Sequence, residues 1–195
     1  LKGFELMGAE IELKEGYIKA QAPNGLIGAN VVFPTVSVGA TENIMMAATL
    51  ADGKTTISNA AREPEIADLA NCLKAMGAKI EGIGSDTLLV EGTNKLHSAN
   101  HSVLPDRIET ATYAVAAAIT GGDIELTGTR TDLVKSILDV LVKTGSEVIE
   151  SDTGVRVKNI LGKIKGIDIM TEPYPGFPTD MQAQIMALLA TSDGA

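Results

Sequence analysis

An α/β fold assembled from repeated βαβαββ modules is what this sequence predicts, and three observations carry the prediction. A glycine closes an apolar, helix-like run at Gly8, Gly77 and Gly145, spaced 69 and then 68 residues apart, a position that favours glycine because the residue after a helix often takes positive φ. Two short alternating, strand-like runs follow each stop. Capping-type residues open apolar helical runs at Ser37, Asp106 and Asp180, spaced 69 and 74 residues apart.

The elements follow in order. LKGFELMG is the end of a helix, and AEIELKEGYIKA supplies its two strands. VVF (31–33) is the strand in front of the first full module, and SVGATENIMMAATLADG is that module's first helix. TTISNA alternates like a strand. REPEIADLANCLKAMGA has helical spacing, with Pro64 in the first turn where a missing N–H is tolerated. GIGSDT (82–87) lacks the third glycine of a dinucleotide fingerprint and lies between two strand-like runs, so it reads as a hairpin turn. DRIETATYAVAAAITGG, DIELTG and RTDLVKSILDVLVKTGS repeat the order, and D-x-x-E from Asp106 to Glu109 spells a capping box. PTDMQAQIMALLATSDG begins a further unit, where Thr179 and Gln182 spell a T-x-x-Q box that leaves the Asp180 carboxylate unengaged. The helix holding Ala47, Ala48 and Leu50 is apolar on nearly every side, which predicts helices buried between sheets. Leu1 enters a unit inside its second helix and Ala195 stops just after a first helix, so a piece of a longer protein is expected.

Composition narrows the function. The chain has 195 residues, 45% of them apolar, enough for one large domain or two small ones. A net charge of −9 argues against nucleic acid or an anionic membrane surface as partner, and any anionic ligand requires a local positive site. No apolar run is long enough for a membrane span and no leader pattern opens the chain, so a soluble cytoplasmic protein is expected. Cys72 lies on an apolar helical pattern and reads as a buried small hydrophobe. His97 and His101 fall in a polar loop-like stretch without neighbouring ligands, so they read as solvated and no metal is expected.

Two stretches point toward chemistry. At Thr35, Val36, Ser37, Val38 and Gly39 a strand ends and a helix begins, which presents unpaired N–H groups and a favourable dipole to a phosphate. Ser37 there also suits a plain helix cap. In PYPGFPTDMQAQ, Asp180 stands at the first turn of a helix, where an acidic residue is favoured by the helix dipole alone.

SVGAT, NAAREPEI, VLPDRIET and FPTDMQAQ resemble the enolpyruvyl transferase family, and FPTDMQAQ and REPEI resemble in particular its UDP-N-acetylglucosamine 1-carboxyvinyltransferase branch; the resemblance runs across the whole chain. It implies an inside-out α/β barrel of two domains with the active site between them. On that map, residues 1–104 are the later part of the first domain, residues 105–195 the early part of the second, and the hinge lies near Leu104 and Pro105. It implies transfer of the enolpyruvyl group of phosphoenolpyruvate to the 3-hydroxyl of UDP-N-acetylglucosamine, the first committed step of peptidoglycan synthesis, without a cofactor. Asp180 matches the aspartate that contacts that hydroxyl and serves as base. Thr35, Val36, Ser37, Val38 and Gly39 match the loop that binds the UDP part, with Thr35 where the family often carries lysine. Arg107 is left as a hinge or cleft charge. The family's cysteine proton donor and its phosphoenolpyruvate-holding cations fall outside the chain, so the chain by itself is expected to be inactive. The competing readings are a 5-enolpyruvylshikimate-3-phosphate synthase-like transferase and a catalytically silent anion-binding fragment.

Overall fold

The computed structural model describes residues 1–159 and 162–194. The chain divides into two compact units, Leu1–Val103 and Leu104–Ala195, each with its own hydrophobic core.

The first unit opens with a short helix, α1 (Lys2–Leu6), which stops at Gly8 with φ +90°. A hairpin of β1 (Glu10–Lys14) and β2 (Tyr17–Gln21) follows, in register from Glu10 opposite Gln21 to Lys14 opposite Tyr17. Next come β3 (Asn30–Val32), α2 (Val38–Ala48), β4 (Lys54–Ser58), α3 (Pro64–Ala75), β5 (Lys79–Glu81) and β6 (Thr87–Glu91). These four strands form one sheet ordered β3-β4-β6-β5, parallel between β3 and β4 and antiparallel elsewhere. A parallel pair cannot be joined by a tight turn, and α2 is its crossover. Burial alternates along β4 and β6, so Thr55, Ile57, Leu88 and Val90 turn inward. Against the three apolar ones pack Ile44, Met45 and Ala48 of α2 and Ile66, Ala70 and Leu73 of α3. Pro64 is the first residue of α3, and Gly77 follows the helix with φ +101°. GIGSDT forms the β5–β6 turn, with Gly82 and Gly84 both at positive φ.

The second unit contains α4 (Arg107–Thr120), β7 (Asp123–Thr127), α5 (Thr131–Lys143), β8 (Glu147–Ser151) and β9 (Gly154–Lys158), then a 3₁₀ turn (Thr179–Met181) and α6 (Gln182–Leu189). Its sheet is antiparallel in the order β7-β9-β8. Helix α4 starts at Asp106, whose carboxylate accepts from the amides of Ile108 (2.8 Å) and Glu109 (3.0 Å). The small side chains of Ala111, Ala114, Ala117 and Ala118 let other elements approach α4 closely, and Val134, Ile137 and Leu141 of α5 share its core with Met181, Ile185 and Leu188. Helix α5 stops ahead of Gly145, at φ +103°.

Four expectations change. The run through α2 is covered on one side only: Met46 of α2 is 43% and Leu50, just beyond its end, 58% exposed, because α3 and the sheet receive Ile44, Met45 and Ala48 and leave the opposite edge open. His101 is not a solvated loop residue. Its Nε2 lies 3.0 Å from Asp68 Oδ1 on α3, and both side chains are about four-fifths buried. Cys72 is half-buried, since Ala70 and Leu73 take the inward positions of α3. Finally, no capping box forms at Thr179 and Gln182. Pro178 (φ −72°, ψ 142°) caps the 3₁₀ turn, and neither that turn nor α6 has a side-chain cap.

Candidate functional site

Residues 35–39 connect the end of β3 to α2, at the carboxyl end of the parallel β3–β4 pair, the edge where open α/β sheets commonly bind ligands. Ser37 is the N-cap, and its Oγ accepts from the amide of Ala40 at 3.3 Å. The amides of Val38 and Gly39 have no acceptor among the described residues. A Cβ added at Gly39 would meet nothing within 4 Å, so the backbone there faces open space. Thr35, Val36, Ser37 and Gly39 are exposed, and a cavity of about 210 Å³ lined by Phe4, Phe33, Gly39, Ala40, Asn43 and Ile44 adjoins them. Such an end of an 11-residue helix offers donors and a partial positive charge to an anion without a cationic side chain.

The loop is held from behind by residues that local sequence reading did not single out. The Thr41 hydroxyl donates to the Ser37 carbonyl (2.8 Å) and accepts from the amide of Ala61 (3.0 Å), which ties the start of α2 to the β4–α3 connection. Asn59 takes a left-handed conformation (φ +57°), and its Nδ2 donates to the Phe33 carbonyl at 2.8 Å. The four-residue spacing from Ser37 to Thr41 was a legible signal of the first tie. Nothing local announced the second, because the partners are 26 residues apart.

Asp180 lies in the second unit, at the centre of the 3₁₀ turn. Its side chain is exposed, and its carboxylate has no hydrogen-bond or ionic partner among the described residues. Ser37 and Asp106 are true N-caps, whereas Asp180 follows the cap residue Pro178 by two positions. Its expected equivalence with them as a helix start therefore fails. Met181, beside it, is fully buried and anchors the turn in the core, so Asp180 is presented on a fixed backbone. Arg107, the first residue of α4, is buried. Among the described residues no group of His, Cys, Asp or Glu side chains could hold a metal ion. No described helix is long and apolar enough to cross a membrane.

Comparison with known proteins adds a family. The family model for EPSP synthase (3-phosphoshikimate 1-carboxyvinyltransferase) matches residues 1–195. Among curated relatives, the UDP-N-acetylglucosamine 1-carboxyvinyltransferase of Paramagnetospirillum magneticum is 64% identical over 195 residues, and that of Gluconobacter oxydans 59%. The chain is covered in full in both cases but spans only 45% and 46% of their length. Among solved structures, the enolpyruvyl transferase NikO from Streptomyces tendae superposes with a TM-score of 0.86 over 99% of this chain and 48% of its own, at 21% identity, which speaks for the fold alone. With a match that spans its whole length and relatives of this kind, the chain belongs to the EPSP synthase (3-phosphoshikimate 1-carboxyvinyltransferase) family.

Proposed function

We propose that the protein to which this chain belongs transfers the enolpyruvyl group of phosphoenolpyruvate to the 3-hydroxyl of UDP-N-acetylglucosamine. The observation that carries this reading is the 64% identity over all 195 residues to an enzyme named UDP-N-acetylglucosamine 1-carboxyvinyltransferase. Residues 1–104 are the later part of one domain and residues 105–195 the early part of the next, and their helices and strands are modules of an inside-out barrel. The connected orders β4-β6-β5 and β7-β9-β8, each a strand, a helix and a closing hairpin, support the modular reading.

Thr35, Val36, Ser37, Val38 and Gly39 bind the diphosphate side of the nucleotide sugar. The unpaired amides of Val38 and Gly39 support this role, because a diphosphate supplies the acceptors they lack. Asp180 is the catalytic residue at the sugar 3-hydroxyl. A hydroxyl becomes a nucleophile as its proton is drawn off, and an acceptor-only carboxylate without competing partners is suited to orient the O–H bond and take the proton late in the step. The open carboxylate of Asp180, in contrast to the doubly engaged one of Asp106, supports that assignment.

The test is Asp180→Asn in the complete gene product. The amide keeps the size and the helix-start position but loses the negative charge. A helix device would cost on the order of 1 kcal/mol of stability with turnover intact. A base or orienting group would leave stability nearly unchanged while kcat falls roughly 100-fold. Near-normal kcat in this variant returns Asp180 to a structural role. Wild-type turnover with shikimate 3-phosphate in place of the UDP sugar would move the protein to the other branch of the family.

A further inference from the structure

We infer that Gln184 is a positioning residue for Asp180, acting through a hydrogen bond to Thr112 that clamps the start of α6 onto α4. The inference rests on the catalytic reading of Asp180 given above. Gln184 lies four residues after Asp180, in the first turn of α6, with Asp180 in the 3₁₀ turn that leads into that helix. Its Nε2 donates to Thr112 Oγ1 at 2.9 Å, across 72 residues of sequence. It is a polar side-chain tie between the two helices, beside the apolar packing of Met181, Ile185 and Leu188 in the common core.

The direction of the bond is fixed. The Thr112 hydroxyl has one proton, and its two acceptors in reach are the Ile108 carbonyl at 2.7 Å and, far weaker, Met181 Sδ at 3.9 Å, so only its lone pairs remain for Gln184. The amide must therefore present its NH₂ group to Thr112, and its oxygen turns away. That oxygen, Oε1, is buried without a partner among the described residues. Burying half an amide unsatisfied opposes folding, and an apolar side chain at the same place would avoid the penalty. A directional bond retained under those conditions serves geometry better than stability.

What needs positioning is the 3₁₀ turn. It has no side-chain cap, and the amide of Met181 is held by the Pro178 carbonyl at 3.1 Å. Burial of Met181, Ile185 and Leu188 fixes which face of the segment is inward, but packing sets the rotation of α6 about its own axis more coarsely than a directional bond does. A hydrogen bond one turn on, from Gln184 to a threonine locked by its own backbone bond, sets that rotation and with it the azimuth of the Asp180 carboxylate. Reactions that depend on an oriented base lose rate steeply with small misplacement.

The experiment is a double-mutant cycle in the complete gene product, with kcat and KM measured for UDP-N-acetylglucosamine and phosphoenolpyruvate. Gln184→Ala should lower kcat roughly 10-fold with both KM values near wild type, while in an Asp180→Asn background the same change should lower kcat no further. Thr112→Val should reproduce the loss and Thr112→Ser should restore it, which keeps the test open if Gln184→Ala folds poorly. Equal losses in both backgrounds, or a change in melting temperature with kcat intact, would overturn the positioning role. If Asp180→Asn alone keeps normal kcat, it is the catalytic reading of Asp180 that has failed.

Discussion

Replacing Gly77 by Ala tests how the first unit ends its second helix. Gly77 follows α3 with φ +101°, and a Cβ placed there would sit 3.0 Å from His97 Nε2 and 3.1 Å from its Cδ2. Two penalties combine. The left-handed backbone costs a side chain about 1 kcal/mol. The imidazole must also give way. It is exposed, but its backbone amide is tied to the Met76 carbonyl at 2.9 Å and its Nδ1 lies 3.0 Å from the Ser98 carbonyl. Losing that ring contact adds up to about 1 kcal/mol. The expected destabilisation is therefore about 1–2 kcal/mol. Gly8 is the internal control: its φ is +90°, yet an added Cβ would meet only Ile27 Cγ1 at 3.6 Å, an ordinary contact, so Gly8→Ala should cost about 1 kcal/mol from the backbone alone. Urea unfolding followed by circular dichroism measures both. In a His97→Ala background, where the ring contact is already gone, Gly77→Ala should cost only the backbone part. A Gly77→Ala protein as stable as the parent, or one whose loss ignores His97, would refute this account of the helix stop.

Two further outcomes follow from capping and charge. Asp106→Ala removes the carboxylate oxygen that accepts from two amides, at 2.8 and 3.0 Å, and should cost about 1 kcal/mol, more than Ser37→Ala, whose single cap bond is 3.3 Å; the reverse order in denaturant melts would count against the caps as drawn. The carboxyls of Asp123, Asp132 and Glu91 are held below the usual carboxylate range, chiefly by hydrogen bonds from Arg156, Arg130 and Lys79. A folded-state pKa depressed in this way gives stability that is present above the unfolded value, near pH 4, and lost as pH falls through the folded one. Stability should thus decline below about pH 4, and Asp123→Asn should make that decline shallower. An unchanged acid limb in that variant would show that the Arg156 pair does not matter to it.

How much of the fold the sequence exposes depends on whether a pattern is one-sided. Helix α5 was legible because its apolar positions, Leu133, Val134, Ile137, Leu138 and Leu141, recur on a single stripe, and those residues are buried. The run through α2 to Leu50 is apolar on nearly every side, a pattern that does not say which side is covered; Met46 of α2 and Leu50 just beyond it are exposed. The glycine stops were legible for a steric reason that needs no partner: Gly8, Gly77 and Gly145 all take positive φ. Long-range polar pairs were not. His101 looked solvated in its own neighbourhood because Asp68, its partner, is 33 residues upstream on the far side of β5 and β6 in sequence.

The site divides along the same line. Thr179 and Gln182 have the letters of a capping box, but the box requires a regular α-helical start, and Pro178 imposes a different one. With Pro178 extended and its carbonyl taken by Met181, the chain turns first as a 3₁₀ segment, and α6 begins only at Gln182, the residue expected to cap it. The carboxylate of Asp180 is consequently free for a reason the letters did not supply. Asp106 and Asp180 look alike in sequence, each acidic, each ahead of an apolar helix. One is consumed by two backbone amides and the other has no partner among the described residues. What separates them is the turn that precedes the helix and the contacts that fix it, so the open state of the Asp180 carboxylate is decided by Pro178 and Met181 as much as by the aspartate itself.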